Sequence, residues 1–266
     1  MLIFDVDGVI TNPQEKRVTE PEILDEIIKR LERKEPVALN TGRSLVWMID
    51  RVINSLLEKV KNTKTLQSFF ASGEMGSTWI TFNERGVIQY HRDNSISVPE
   101  SLQTKVKKLI EVKYSDSMFY DEGKETMITT EMKDGYSVEK YKKFQKLQDQ
   151  ELRDLVRKEN LWQDIIVDST TIATNVENKF VGKHFAVRRI INWIKGKGIK
   201  PQRYIAFGDS SKSDIPMAEE LYSQNLPTEF IYVGKEDIDT SKYPFPITIT
   251  QNKYGEGTLE FLKSLD

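Results

Sequence analysis

Cysteine is absent from this chain of 266 residues, and histidine occurs only at His91 and His184. The absence of cysteine excludes disulfide bonds, thiolate catalysis and cysteine-ligated zinc. Two histidines give little material for a histidine-rich metal site or for a Ser-His-Asp triad. Sites built from carboxylates, hydroxyls and amines remain open.

The chain also lacks an excess of charge of either sign and any long apolar run. Its 39 lysines and arginines stand against 41 acidic residues, so electrostatics give no argument for binding nucleic acid or an anionic membrane. No apolar run approaches the roughly 20 residues that cross a bilayer, and no secretory leader precedes the first predicted strand. We therefore expect a cytoplasmic globular protein with neither a nucleic-acid nor a membrane partner.

The chain opens on an apolar run that ends in two closely spaced acids and a glycine. The run Leu2 to Phe4 is typical of a short buried strand in a parallel sheet. Residues two apart in a strand project to the same side, so Asp5 and Asp7 can share a cleft at its carboxyl end. Such a pair indicates a metal site or an acid/base pair. A strand followed by an Asp-Gly turn, with both acids solvated, is the alternative.

Alternating strand and helix patterns follow this stretch and return in the last third of the chain. Amphipathic stripes predict helices between apolar strands. Further buried strands are predicted at 36–39, 66–71, 204–207, 230–233 and 247–249. In the middle of the chain, helix-strand-strand occurs twice in succession. The sequence therefore predicts an α/β fold, with a Rossmann-like parallel-sheet core and an inserted, smaller α+β domain.

Local signals add detail to this pattern. Capping boxes at 19–22 and 97–100 predict the starts of two helices. A continuous helical stripe is expected from Leu45 to Val60, and a hairpin over 78–91.

Three predicted core strands, the first, the second and the one at 204–207, end in polar loops that contain glycine. In a parallel sheet these carboxyl ends lie side by side along one edge. The loops supply enough carboxylates there for a hard divalent cation such as magnesium (Mg2+), from Asp5, Asp7, Asp209 and Asp214. Taken singly, the last two acids are also common helix caps.

The loop after the second strand contains Thr41, Gly42 and Arg43, just before a helix. A hydroxyl and backbone amides at a helix start can bind phosphate oxygens. Lys183, at the start of another helix, can supply a point charge to the same phosphate. A turn with a cap, and a solvated surface lysine, are the respective alternatives. Together these groups suit phosphoryl transfer, in which an aspartate attacks phosphorus while a metal and a lysine neutralise charge.

In this order the motifs resemble those of the haloacid dehalogenase-like phosphohydrolase superfamily, over the whole chain. The stretch 5–9 is similar to its first motif, with Asp5 at the nucleophile position and Asp7 at the general acid/base position. Thr41 falls on the second motif and Lys183 on the third. The resemblance therefore implies an enzyme, a phosphoric monoester hydrolase.

The acidic fourth motif of that superfamily is matched by Asp209 and Asp214. The resemblance implies Mg2+ held by Asp5, by the backbone carbonyl of Asp7 and by Asp209, with Asp214 supporting the metal site. The two acids of the fourth motif are spaced more widely than in many relatives. Which of them contacts the metal is therefore left open.

The resemblance also implies a cap inserted between the second and third motifs. The region 92–178 lies in that place and is similar to the α/β cap of the sugar-phosphate phosphatase branch. The catalytic core is then 1–91 together with 179–266. Lys179 lies close enough in sequence to Lys183 to compete for the role of the phosphate-binding lysine.

These expectations combine into a Mg2+-dependent phosphatase that hydrolyses a small phosphorylated metabolite, a sugar phosphate, through an aspartyl-phosphate. A phosphomutase of the phosphomannomutase type and a catalytically silent binding protein remain alternatives. The loop 72–77, with Glu74 and Met75, follows a core strand and is a candidate for substrate selection, against an ordinary surface or hinge role. The sequence specifies neither the substrate nor the oligomeric state.

Overall fold

The computed structural model describes residues 1–265 of the chain, which form two compact units. The first unit contains Met1–His91 and the segment from Gly182 onward, and the second is Arg92–Val181. The assignment of a catalytic core to 1–91 with 179–266, and of a cap to 92–178, concerns function and stays a prediction.

The strands belong to two sheets. They are β1 (Leu2–Phe4), β2 (Val37–Asn40), β3 (Phe69–Gly73), β4 (Thr78–Phe82), β5 (Ile88–Arg92), β6 (Met118–Tyr120), β7 (Ile128–Met132), β8 (Ile165–Ser169), β9 (Ala173–Asn178), β10 (Tyr204–Gly208), β11 (Thr228–Tyr232) and β12 (Ile247–Ile249). The larger sheet has the order β12-β11-β10-β1-β2-β3-β4-β5. Its pairs from β12 to β3 are parallel, whereas β4 runs antiparallel to β3.

Helices cover both faces of the larger sheet. The α-helices of the chain are α1 (Glu22–Glu32), α2 (Leu45–Met48), α3 (Asn54–Lys59), α4 (Glu100–Leu109), α5 (Val138–Lys158), α6 (Lys183–Gly196), α7 (Ile215–Ser223) and α8 (Tyr254–Ser264). Alternate strand residues pack to opposite sides, so that Phe4 joins the cluster that contains α1, whereas Ile3 joins the cluster that contains α6 and α7. This explains why β1 is apolar throughout, since neither of its faces contacts water.

The second unit has its own sheet and core. Its strands have the order β6-β7-β9-β8, and the pairs are antiparallel. Helices α4 and α5 bury their apolar residues with one face of this sheet, through side chains such as Leu102, Val106 and Leu152. The chain order α4-β6-β7-α5-β8-β9 is the doubled helix-strand-strand pattern. The predicted fold class, an α/β parallel-sheet core with a smaller α+β region, is confirmed.

Several local predictions were wrong at their boundaries. The third strand was expected from Leu66, but Thr63–Ser68 forms a 3-10 helix that Asn62 caps by accepting from the Lys64 amide, and β3 begins at Phe69. The expected continuous helix from Leu45 contains a π-helical turn at Ile49–Ile53. Burial of apolar side chains is common to strand and helix in such runs, so the pattern does not separate them.

Neither predicted capping box forms. The residue before α1 is Pro21 and the residue before α4 is Pro99, and neither helix start has a side-chain cap. The Thr19 hydroxyl donates to Glu20 instead. Proline has a φ that suits a helix start and lacks the N–H that would otherwise need a partner there. These helices can therefore begin without a capping box.

No helix in the described part of the chain combines the length and the apolar character that a membrane crossing requires.

One buried acid in the second unit has no compensating hydrogen bond on one of its oxygens. Glu177 of β9 is 8% exposed, and its Oε2 lacks a hydrogen-bond partner among residues 1–265. Burial, reinforced by the charge of Asp168 and partly offset by Lys124, raises the pKa of Glu177 to about 7. The folded protein therefore holds a proton that the unfolded chain releases at lower pH.

This proton makes stability depend on pH. Between pH 4.5 and 7 the folded state binds more protons than the unfolded state, so the free energy of unfolding falls as pH rises through that window. The loss due to Glu177 amounts to about 3 kcal/mol at most. We expect Glu177→Gln to remove this part of the decline in urea unfolding series at pH 5 to 8. The exposed Glu111→Gln should follow the wild type; equal pH dependence in Glu177→Gln and wild type would contradict the assignment.

Candidate active site

The site is built where β1 ends between its two parallel neighbours. Phe4 is in register with Leu39 of β2 and with Phe207 of β10. The amide of the next residue, Asp5, donates to the Phe207 carbonyl at 3.0 Å. The loops that follow these three strands therefore lie along one edge of the sheet.

Three carboxylates lie close together at this edge, and one lysine pairs with two of them. Ligand oxygens of Asp5, Asp209 and Asp214 all lie within 4.8 Å of one another. Lys183 is buried at the first position of α6; its ammonium pairs with Asp5 Oδ1 at 2.6 Å and with Asp214 Oδ1. A buried ammonium between two carboxylates is held by both, because neither charge is solvated.

The burial of these groups shifts their proton affinities. Desolvation and the neighbouring carboxylates raise the pKa of Asp5, although Lys183 opposes the shift. Desolvation, together with Asp214, raises the pKa of Asp209 to about 7. For Lys183, burial alone would disfavour the charged form, but the charges of Asp214 and Asp5 raise its pKa above the usual range. One ammonium thus leaves the three carboxylates with unbalanced negative charge, which favours a further cation or proton.

Asp214 also orders the loop that carries Asp209. Its Oδ2 accepts from the amides of Asp209 and Ser210, each at 3.0 Å, and Ser213 Oγ donates to its Oδ1 at 2.9 Å. Both oxygens of this fully buried side chain are thereby engaged. Asp214 accordingly acts on the arrangement of the loop as well as on the charge of the cluster.

Gly8 allows the first loop to approach the fourth-motif loop. It has a φ of +75°, and a Cβ there would lie 2.3 Å from Asp209 Oδ2. A side chain would therefore displace the carboxylate, in addition to straining the backbone. This glycine sets the spacing between the loop of Asp5 and Asp7 and that of Asp209.

The Asp7 carboxylate has different neighbours from the other acids. Arg43 Nε contacts its Oδ1 at 3.2 Å, and the Thr41 hydroxyl donates to its Oδ2 at 3.4 Å. The same Thr41 oxygen accepts from the Arg43 amide at 3.0 Å. Arg43 also lies over the ring of Trp47, 5.2 Å from its centre. The loop after β2 therefore orients the half-buried Asp7 side chain.

The structure brings together the residues that the sequence singled out. They are Asp5, Asp7, Thr41, Gly42, Arg43, Lys183, Asp209 and Asp214. Their roles in binding and catalysis stay predictions. Lys179 lies in the second unit, where its Nζ donates to the Gln163 carbonyl at 2.5 Å and pairs with Asp164 at 3.6 Å. Lys183, not Lys179, is the lysine of the carboxylate cluster.

One residue that supports the site was missed. Asn40, the last residue of β2, is fully buried, and its Nδ2 donates to the Lys183 carbonyl at 2.9 Å. It therefore ties the start of α6 to the strand that leads into the Thr41 loop. A polar residue at the end of an apolar strand is the sequence signal that could have identified it.

The donor set fits a hard divalent cation. Asp5, Asp209 and Asp214 offer carboxylate oxygens, which Mg2+ prefers, and their excess negative charge favours a cation. The carboxylate of Asp7 lies outside this set and contacts Arg43 instead.

Loss of the buried ammonium should destabilise the folded protein. Lys183→Met leaves Asp5 and Asp214 without their shared partner, and we expect the free energy of unfolding to fall by about 3 kcal/mol at pH 7.5 in EDTA. Urea unfolding followed by circular dichroism measures the change. Lys212→Met, on an exposed lysine of the loop that carries Asp209 and Asp214, should change it by less than about 0.5 kcal/mol. Wild-type stability in Lys183→Met would show that the cluster is not held by this charge.

The chain resembles known proteins both in sequence, through a family model, and in structure. A model of the haloacid dehalogenase-like hydrolase family matches residues 2–222, whereas no curated protein sequence matches. Among solved structures, the C-terminal domain of trehalose-6-phosphate phosphatase from C. albicans is similar with a TM-score of 0.67 and 20% identity, over 99% of this chain and 91% of that one. The trehalose-6-phosphate phosphatase of Aspergillus fumigatus has a TM-score of 0.58 and 15% identity, over 99% and 91%.

A third similar structure is the ATP-bound IMP-nucleotidase of Plasmodium falciparum, with a TM-score of 0.55 and 14% identity, over 81% of this chain and 54% of that one. At these identities the structural likeness shows a shared fold. The family match covers most of the chain and includes every motif named above. The prediction of a hydrolase is confirmed, and the chain belongs to the haloacid dehalogenase-like hydrolase family.

Proposed function

We propose that this hydrolase is a Mg2+-dependent phosphatase that acts on a sugar phosphate through an aspartyl-phosphate on Asp5. The observation that carries the proposal is the ion-paired group of Asp5, Lys183 and Asp214, beside Asp209 and at the same sheet edge as the Thr41 loop. A nucleophile, a fixed positive charge and phosphate-binding groups are the parts that phosphoryl transfer needs.

In the first step, the Asp5 carboxylate attacks phosphorus and the bond from phosphorus to the ester oxygen breaks. Asp7 gives its proton to the departing alcohol. Lys183 balances the charge of the phosphoryl oxygens, and the Thr41 hydroxyl with the neighbouring amides holds them. The products of this step are the free alcohol and phosphorylated Asp5.

In the second step, water attacks the phosphorus of the aspartyl-phosphate while Asp7 accepts a proton from that water. The bond from phosphorus to the Asp5 oxygen then breaks, which releases inorganic phosphate and restores both acids. The contact of Arg43 with the Asp7 carboxylate supports this role, because it holds the side chain in one orientation.

The carboxylates of Asp5 and Asp209, with the Asp7 backbone carbonyl, would hold Mg2+, and Asp214 would support them through the loop amides that it binds. When bound, Mg2+ neutralises negative charge on the transferring phosphoryl group. Lys183 alone supplies one positive charge against three carboxylates, which is the physical reason to expect a second cation.

The substrate class is proposed from the similar structures. Two of them are trehalose-6-phosphate phosphatases and cover nearly all of this chain. A sugar phosphate is therefore the class to test first. We assign selection of the sugar to the inserted unit, predicted from the sequence as a cap over 92–178.

Asp5→Asn should abolish turnover while the protein stays folded. The amide cannot attack phosphorus, so we expect hydrolysis of para-nitrophenyl phosphate and of a sugar-phosphate panel to fall by roughly a thousandfold or more. Release of inorganic phosphate in Mg2+ measures turnover, and circular dichroism checks the fold. Asp50→Asn, on an exposed acid of the same unit, serves as the matched control.

Full activity in Asp5→Asn would contradict the mechanism. An isomerised sugar phosphate without free phosphate would identify a mutase instead. If the wild type hydrolyses no compound of the panel, a catalytically silent binding protein is favoured.

Mg2+ should stabilise the wild type but not Asp209→Asn. A cation that binds only the folded state raises the free energy of unfolding by about 3 kcal/mol when its concentration is a hundred times its Kd. Thermal unfolding in EDTA and in increasing MgCl2 measures the effect without any turnover. An equal stabilisation of Asp209→Asn by MgCl2 would show that Asp209 does not bind the metal.

A further inference from the structure

The turn after β3 has a backbone conformation that its residues rarely adopt. Glu74, Met75 and Gly76 have φ values of +48°, +57° and +100°. The left-handed region is strained for a residue with a Cβ, and two such residues in succession, Glu74 and Met75, are unusual. Strain of this kind persists only where the surroundings fix it, so the contacts of the turn indicate its role.

On one side, the turn is bonded to the loop after β2. The amide of Glu74 donates to the Arg43 carbonyl at 2.8 Å, and the amide of Met75 donates to the Thr41 carbonyl at 3.2 Å. The Met75 side chain also lies on Gly42, where a Cβ would be 2.8 Å from the Met75 Cε. The thioether therefore fills the space that a glycine leaves in the phosphate-binding loop.

On its other side, the turn holds the start of α6. The Gly182 amide donates to the Met75 carbonyl at 3.0 Å, and Arg189 Nε donates to the Gly76 carbonyl at 2.8 Å. Gly76 packs directly on the helix, since a Cβ there would lie 2.8 Å from a backbone nitrogen of α6. The residue that follows Gly182 is Lys183, so the same turn fixes the base of the lysine.

We propose that Met75 is a positioning residue for phosphate binding. Its backbone joins the Thr41 loop to the start of the Lys183 helix, and its side chain holds Gly42 in place. A glycine at position 75 would adopt the same φ without strain. The presence of methionine there points to a use for the side chain, and its contact with Gly42 is that use. This inference rests on the proposed function.

Met75→Gly separates the side chain from the backbone geometry. The variant keeps the left-handed φ but removes the thioether from Gly42, so the phosphate-binding amides lose their support. We expect the KM for para-nitrophenyl phosphate and the inhibition constant of inorganic phosphate to rise together by roughly tenfold, whereas kcat changes by less than about threefold. Met75→Leu restores an apolar chain of similar volume and should stay within about threefold of wild type in every constant.

A matched control is available at the amino ends of the strands, on the side of the sheet away from the carboxylate cluster. Lys34 is exposed, has a φ of +60° and lies just before β2 begins. Lys34→Gly relieves the same kind of strain and should leave KM and phosphate inhibition unchanged. The positioning role is overturned if Met75→Gly has the constants of the wild type, or if Lys34→Gly shows the same rise.

Phosphate binding can also be read without turnover. Inorganic phosphate in the presence of Mg2+ should raise the thermal unfolding midpoint of the wild type, Met75→Leu and Lys34→Gly, and should raise that of Met75→Gly less. A wild type that hydrolyses the ester, with an equal phosphate effect in Met75→Gly, contradicts the positioning role alone. A wild type that neither hydrolyses the ester nor responds to phosphate contradicts both this role and the proposed function.

Discussion

The ion pairs of the buried Lys183 ammonium are the interaction on which the arrangement of the carboxylate cluster depends. Carboxylates from the β1 loop and from the loop before α7 approach each other closely in a region that excludes water. At such separations like charges repel strongly in a low dielectric, and folding would favour loops that spread apart. Lys183, at the first position of α6, attracts Asp5 and Asp214 and so offsets their mutual repulsion. The position of one helix start therefore decides whether the acids can share a site.

Close packing against the main chain of two glycines also fixes the positions of the carboxylates. Gly8 contacts the Asp209 carboxylate, and a Cβ on Gly208 would lie 2.3 Å from Asp214 Cβ. The two glycines thus let the carboxylate side chains of Asp209 and Asp214 lie directly against the main chain. Such an arrangement leaves little freedom for the reacting groups, which suits a site that acts by orientation. It also leaves little room to vary the residues of these loops.

The parts of the fold that depend on local pattern were predictable. Apolar runs of a few residues between amphipathic stripes identified the parallel sheet, since both faces of β1, β2 and β10 are covered by helices. The polar ends of those strands then followed from topology, and with them the approach of Asp5 to Asp209. The start of β3 was placed too early, because the buried Leu66 fits a 3-10 turn as well as a strand.

Contacts that depend on the angle of a side chain were outside the reach of sequence. Nothing in the spacing of Asp7 and Arg43 says that they meet, and the separation of Asp7 from the other acids is visible only in three dimensions. That Lys183 rather than Lys179 pairs with Asp5 was likewise visible only in the structure. The left-handed φ of Met75 was equally hidden, since methionine carries no sequence signal for a turn.

The central position of β1 in the larger sheet has a consequence for folding during synthesis. Its neighbour β2 follows within the first unit, but β10 follows only after the whole inserted unit has been made. Until then the open side of β1 is an unpaired apolar edge, which is prone to pair with other chains. The second unit is contiguous and has its own core, so it can fold before β10 is available to pair with β1. Asp5 is thus translated long before Lys183, Asp209 and Asp214, which come from the last third of the chain.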